Sequence, residues 1–474
     1  MTSIQIEATS IPAASASPPK RLTQLSTSTG ADVRRSLKAS TLDGTFSSVF
    51  ENVVKGVLIS NFLLGLGAGA FEVGLLTSIP MVAHLLQPLG AYFSEKTQSR
   101  HLYCLWIYGT ARLLWLLPAG GIFAFSHGVI DARSLTLLTM IVLTLSNILD
   151  GMGCASWMSW MAMLVPNQLR GRYFGLRRSL SSLVALLTIP FGGWLVSQWM
   201  GGEIEGYGVA LIIAVITGLI SLGFQFWITD VNPQDAKAAS DARQHQEKES
   251  SKLSALRNSL LADQNFLILL FFLGLWTFAV NLSAPFFNYY LLDRLQLDVQ
   301  WVTTYSSLRF GAFFIAIVLW GRLADRIGNR PVIVINCVLG AAVPLFWSHV
   351  DSSLLCIWLG LPLLHLLQGT SFAALELCLT NIQLEVAPLA KQSSYFAIAA
   401  AVIGVTGALG TTAGSFLAEL PAFSLPDLFA ITALIRLVSI TPLFFVKENR
   451  AQPLFALLNW QKISTAGQLA KVKV

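Results

Sequence analysis

Apolar residues in this chain gather into runs of about 20, the length an α-helix needs to cross the hydrocarbon core of a bilayer. Twelve such runs are legible. Six lie near 46–68, 71–93, 102–125, 135–165, 173–198 and 207–228, and six near 266–291, 300–320, 332–349, 353–384, 394–418 and 426–446. The longest polar stretch between runs, 230–265, separates the two sets. The pattern predicts an all-α integral membrane protein of 12 transmembrane helices in two six-helix halves. Residues 1–40 are then a disordered tail, 41–229 the N-terminal half, 230–265 a linker, 266–447 the C-terminal half and 448–474 a second tail.

The two halves also resemble each other in sequence. "PNQLRGRYF" at 166–174 and "PLAKQSSYF" at 388–396 share a proline, six residues and then Tyr-Phe, and the same offset lays Gly192 and Leu195 on Gly414 and Leu417. Upstream, shifted by one helical turn, "ILDGMG" at 148–153 faces "LLQGTS" at 366–371. Matches at the same place in each half predict a structural repeat with a pseudo-two-fold axis.

Composition agrees with the membrane reading: 54% of residues are hydrophobic and 12% charged, about half the charged share of a globular chain. A net charge of +6 would suggest nucleic acid in a soluble protein. Here it is better explained by topology, because cytoplasmic loops of membrane proteins collect Lys and Arg, and no nucleic-acid partner is expected. Basic residues crowd the N-terminal tail, the loops after the second, fourth and eighth runs, the linker and the C-terminal tail, whereas the alternate loops offer only Arg133 and Arg294. Both termini are therefore expected in the cytoplasm, with the protein in the plasma (inner) membrane as a monomer. The tail has no apolar core of the kind a cleavable signal peptide carries. Five cysteines, Cys104, Cys154, Cys337, Cys356 and Cys378, lie scattered in apolar runs without a CxxC pair, so inert thiols are expected and no metal site. No nucleotide-binding P-loop, HExxH or GxSxG pattern is present, which points away from an ATP-driven pump or an enzyme; no catalytic residue and no cofactor are expected.

The segment "GRLADRIGNRP", 321–331, joins the eighth and ninth runs and resembles the signature loop of the major facilitator superfamily, G-x-L-x-D-R-x-G-R-K-x. Gly321, Leu323, Asp325, Arg326, Gly328 and Arg330 match, with Asn329 where a basic residue is common. A weaker copy, "AYFSEKTQSR", joins the second and third runs through Glu95, Lys96 and Arg100, with Ala91 in place of the glycine. Physically, a glycine lets helix ends approach, and an acid there can meet an Arg or a helix N-terminus and latch one conformation. The resemblance implies that this latch steadies the outward-facing state, and that the first helix of each half lines a central cavity. Other family patterns are degraded. Where some members carry R-x-x-Q-G in the fourth span, with an Arg tied to proton coupling, this chain has Asn147 to Asp150-Gly151, and the tenth-span equivalent is His365 to Gln368-Gly369. "TIPFGGWL" only loosely matches the G-P-x-x-G-G pattern of drug–proton antiporters, and "RGRYFGLRR" resembles a stretch of an uncharacterised bacterial subgroup.

A charge near the bilayer centre costs about 3 kcal/mol on insertion scales, so it usually has a partner or a task. Glu51 and Lys55 stand four apart with the acid first, the better order for a helical ion pair, and Ser48 and Asn52 widen their stripe. That pair either lines the cavity or braces the first helix. Arg112 and Asp150, each near the middle of its run, are natural partners for one another. Arg309 and Arg436 have no acid nearby in sequence, while His365, Gln368 and Glu376 form a stripe in the tenth run. Asn281, with Asn288, Tyr289 and Tyr290, suits hydrogen bonding to a solute. The expected function is secondary transport of a small solute by alternating access, as symport or antiport, with protons as a candidate coupling ion. The rival reading is a transporter-like sensor or assembly partner that moves nothing.

Overall fold

The computed structural model describes residues 30–97, 99–165, 170–230, 263–387 and 392–448. Most of the expected tails and linker, the prolines of the repeat (Pro166 and Pro388) and the Glu95 side chain lie outside the described residues. Eleven helical stretches are long and apolar enough to cross a membrane, from Ala70–Ser94 through Leu425–Phe445. They are the second to twelfth spans, close to their expected places.

The first span is the twelfth crossing, and it is broken. Helix α1 runs Gly30–Val54, helix α2 runs Val57–Gly65, and the chain bends at Lys55 and Gly56, where Gly56 takes φ +84°. An L-residue side chain disfavours that conformation, so the glycine permits the break. Helix α1 also begins ten residues inside the segment expected as tail. Its first turns are polar and carry no apolar run, yet Ser36, Ser40 and Asp43 are buried. They are held by the fifth and sixth spans: Ser36 Oγ lies 3.0 Å from Thr229 Oγ1, the Ser221 hydroxyl donates to Asp43 Oδ1 at 2.7 Å, and Arg177 lies 3.6 Å from the Asp43 carboxylate.

Gly30 and Glu448, the ends of the described chain, lie on one side of the bundle, called here the near side; the opposite side is the far side. The first span packs on the fifth and sixth, and the seventh correspondingly on the eleventh and twelfth. The second packs on the fourth as the eighth does on the tenth. Each half thus repeats the other six spans on. The glycines singled out in the sequence explain this. A Cβ at Gly151 would strike the Ala83 carbonyl of the second span, and one at Gly369 the Arg309 carbonyl of the eighth. Gly192 likewise seats Leu58 of the first span, and Gly414 receives the Leu282 carbonyl of the seventh. Small residues let helices close to backbone contact, where dispersion replaces the hydrophobic effect as the driving force in lipid. The exterior is correspondingly apolar, with Trp106, Phe123 and Leu354 each about 70% exposed or more, suited to acyl chains.

Two main contacts join the halves, fifth span to eighth and eleventh to second, with smaller ones from the second span to the seventh and the first to the eighth. On the far side both main contacts are tight. Gly193 leaves no room for a Cβ against Thr303, and Gly74 leaves none against Ser415, so glycine and hydroxyl exchange places across the axis. The Phe71 backbone N–H also donates to Glu419 Oε1 at 3.2 Å across the same seam.

Candidate functional site

A cavity of about 570 Å³ lies against the C-terminal half. Its walls come from the seventh, eighth, ninth, tenth, eleventh and twelfth spans, and Arg178 of the fifth span completes them. Towards the far side it ends on buried Phe287, Ser306 and His365. Towards the near side it runs to Thr380, which is exposed. Asn281, Gln368 and Asn288 supply neutral hydrogen-bonding groups; the Asn281 amide donates to the Thr277 carbonyl at 2.9 Å and keeps its oxygen for the cavity.

The charged lining is Arg178, Arg309, Arg436 and Glu376. Arg178 and Glu376 form a bidentate pair across the two halves, at 3.0 Å from Nε to Oε1 and 3.1 Å from the second nitrogen to Oε2. Arg436 is buried and donates to the Gly340 carbonyl at 2.7 Å, the Val280 carbonyl at 3.1 Å and the Ser283 hydroxyl at 3.2 Å. Arg309 is exposed to the cavity, 4.8 Å from the Phe310 ring, and finds neither a carboxylate nor a carbonyl among the described residues. His365 is buried between Tyr305 and Trp347, with Nδ1 2.8 Å from the Leu361 carbonyl of its own helix.

The N-terminal half carries a second cluster. Lys55 Nζ donates to Asp150 Oδ2 at 3.0 Å, joining the break in the first span to the fourth. This corrects two expectations. The Glu51–Lys55 pair does not form, because the helix stops at Val54 and the bend turns Lys55 to the neighbouring span; Glu51 instead accepts from Ser47 at 3.4 Å. Arg112 does not reach Asp150 either. It is buried, donating to the Gly218 carbonyl at 2.5 Å and Ser47 Oγ at 3.2 Å, with its guanidinium 5.8 Å from the Phe50 ring. Arg112 and Arg436 are one device used twice: a buried guanidinium ties a glycine carbonyl to a serine on the first span of its half, from the third span in one half and the twelfth in the other. Both are braces. Asn147 satisfies its own helix through the Leu143 carbonyl at 2.8 Å, and the Asn52 amide nitrogen is buried without a partner among the described residues.

The loop between the eighth and ninth spans is built differently from expectation. Asp325 and Arg326 are exposed and form no ion pair among the described residues. The ninth span's N-terminus is capped instead by Glu448, which accepts from the Asn329 N–H at 2.7 Å and the Arg330 N–H at 2.8 Å. Arg330 donates to the Phe444 carbonyl, and Gly321 lets Leu377 come within 3.3 Å of where a Cβ would stand. In the weaker copy Lys96 lies 4.4 Å over Tyr92, and buried Arg100 donates to Ser94.

Sequence reasoning missed Arg178, Glu448, Asp43 and His84. Arg178 was counted among loop charges although it stands inside the fifth apolar run. His84 opens a single 3₁₀ turn, His84–Leu86, in the second span opposite Gly151, and a histidine between two prolines, Pro80 and Pro88, was the available signal. All five cysteines are free thiols.

Two repeated six-span halves, sealed together on one side around a polar cavity that reaches the other, define a membrane transport protein. The family model described as Major Facilitator Superfamily matches residues 44–361 and 278–463, and the chain belongs to that superfamily. Among solved structures the chain is similar to a D-xylose–proton symporter at 14% identity and TM-score 0.66, covering 89% of this chain and 98% of that one. It is similar to the nucleoside transporter NupG at 14% identity and TM-score 0.61, covering 88% and 98%. The inward-open xylose transporter XylE from E. coli gives 15% and 0.61, covering 90% and 99%. At these identities the likeness is one of fold. No curated protein sequence matches the chain.

Proposed function

We propose that the protein is a secondary transporter that moves a small solute by rocker-switch alternating access, and that the state described here is open to the cytoplasm. The observation that carries this reading is the asymmetry of the seam. Glycine–hydroxyl contacts close the halves on the far side, while the cavity runs to exposed Thr380 on the near side. The near side is assigned to the cytoplasm because its loops hold the basic residues. The unpaired Asp325 fits the same state, since a latch that steadies the outward-facing form is released when the near side opens. The Arg178–Glu376 pair bridges the two halves beside the cavity in this state, and rocking of the halves changes that contact.

Coupling to protons is assigned to the N-terminal cluster. Lys55 and Asp150 set a carboxylate against an ammonium at a helix break, so a proton taken by Asp150 releases Lys55. The test uses purified protein in proteoliposomes with an imposed pH gradient and a panel of labelled sugars, nucleosides, carboxylates and phosphate esters. Gradient-driven accumulation of one class, lost in Asp150→Asn with exchange retained, is the expected result. An absence of both accumulation and exchange across the panel would overturn the transport reading, and accumulation unchanged in Asp150→Asn would remove that acid from the proton path.

A further inference from the structure

Resting on the transport reading, we propose that the solute is a small oxyanion, a carboxylate or phosphate compound, bound by Arg309 and shared with Arg178 in competition with Glu376. Four charged side chains line the cavity, three arginines and one glutamate, so the lining carries two positive charges in excess. The three guanidiniums differ in what they already do. Arg436 is occupied by two backbone carbonyls and a hydroxyl. Arg178 is occupied by Glu376 through both of its oxygens. Among the described residues Arg309 meets only the flank of Phe310, and it faces the open cavity.

An arginine cannot discard its proton in a protein. A guanidinium placed in the hydrocarbon zone without a counter-charge is therefore costly, and the missing partner is best supplied by what the cavity binds. The forked, planar donor set of Arg matches a carboxylate or phosphate in a bidentate way that a neutral sugar does not offer. The position of Arg178 makes the site a pair: its guanidinium stands 5.8 Å from the Phe313 ring, one helical turn along the eighth span from Arg309. The volume of about 570 Å³ is in the range of small-molecule sites.

Glu376 has a defined part in this arrangement. It is the protein's own carboxylate on Arg178, and an incoming oxyanion of the same geometry replaces it. Replacement frees the tenth span from the fifth, so binding loosens a tie between the halves. The cavity is thereby poised to answer an anion by changing the contact that joins its walls.

The experiment reads the potential in the cavity without requiring the solute to be known. A thiol is placed beside Gly369 by Gln368→Cys in the full-length protein. Its modification by anionic methanethiosulfonate ethylsulfonate and by the cationic trimethylammonium analogue is followed by peptide mass, each rate being corrected for reaction with free cysteine. An excess of about tenfold for the anionic reagent is expected, the low end of what focused fields produce. Arg309→Gln should bring the ratio near one, Arg309→Lys should keep it, and Glu376→Gln should raise it. Millimolar succinate or inorganic phosphate should slow labelling, whereas xylose and uridine should not. A cationic preference, or a ratio that Arg309→Gln leaves unmoved in protein that remains monodisperse, overturns the proposal. If Arg309→Gln does not fold, a ratio unchanged by Glu376→Gln overturns it equally. Because no flux is measured, a neutral cavity together with solute flux in proteoliposomes would sink the anion site and leave the transport reading standing. An anionic preference without flux would do the reverse.

Discussion

The fourth and tenth spans occupy equivalent positions in the two halves and carry the same glycine, yet they handle charge in opposite ways. Gly151 and Gly369 each press a span against its neighbour two before it. The residue preceding each glycine differs: Asp150 pairs with Lys55 at the break in the first span, whereas neutral Gln368 stands near unpaired Arg309. One half sets a single acid against a single cation at a helix break, and the other lines a cavity with three cations and one acid. The duplicated backbone is thus a fixed frame, and the chemistry is divided between its copies. Under the proposed transport reading, the Lys55–Asp150 pair would handle protons and the basic cavity would capture the solute. A carrier that coupled the two would move a proton and an anion together with less net charge than either alone.

The shared frame can be broken most severely at the glycines. Gly151→Val and Gly369→Val each place side-chain atoms against a neighbouring carbonyl, and each should cost about 3 kcal/mol or more. Size-exclusion profiles and thermal unfolding in detergent should show both variants losing monodisperse protein to a similar degree. If only one suffers, the two packings are not equivalent.

Next in size is the division of charge itself. Asp150→Asn should lower gradient-driven accumulation more than tenfold while exchange persists, an effect above about 1.4 kcal/mol in coupling. Gln368→Glu would make the tenth span resemble the fourth by adding an acid near Arg309. Solute affinity should fall about tenfold without loss of stability, as measured by protection against thermal unfolding. An affinity that rises would show that the cavity takes a cation.

Smaller effects belong to the near-side loop. Glu448→Gln weakens the cap on the ninth span and should cost about 1 kcal/mol, read as a lower unfolding midpoint. Asp325→Ala should change stability by less than about 0.5 kcal/mol, because the carboxylate is exposed and unpaired in this state. Its effect should appear in the balance of states, as greater accessibility of near-side thiols. A large loss of stability would show that Asp325 is paired in the dominant conformation.

The membrane class, the two-half division and the repeat were legible in the sequence, because each depends on local properties. A run of about 20 apolar residues has few alternatives to a membrane helix, and a glycine at matching places in two halves marks close approach whatever surrounds it. Arg309, Gln368, Glu376 and Asn281 were found from their polarity in apolar runs, and the structure gathers them at one cavity. Partners were less legible. Spacing of four suggested that Lys55 would meet Glu51, but a single glycine with φ +84° ended the helix and sent Lys55 to a residue 95 positions away. Position in the runs suggested that Arg112 would meet Asp150, but it donates to a glycine carbonyl on the sixth span instead.

The sequence by itself therefore determined the twelve crossings, their grouping into two repeated halves and most of the residues that bear charge within the bilayer. Helix formation and membrane burial follow from residues close in the chain. Only the tertiary structure decided which charges are spent on one another and which are left for a ligand. Asp150 and Lys55, Arg178 and Glu376, and Arg436 with the Gly340 carbonyl lie from 95 to 198 residues apart. An ion pair in lipid depends on a few ångströms of approach, and that distance is set by how helices cross.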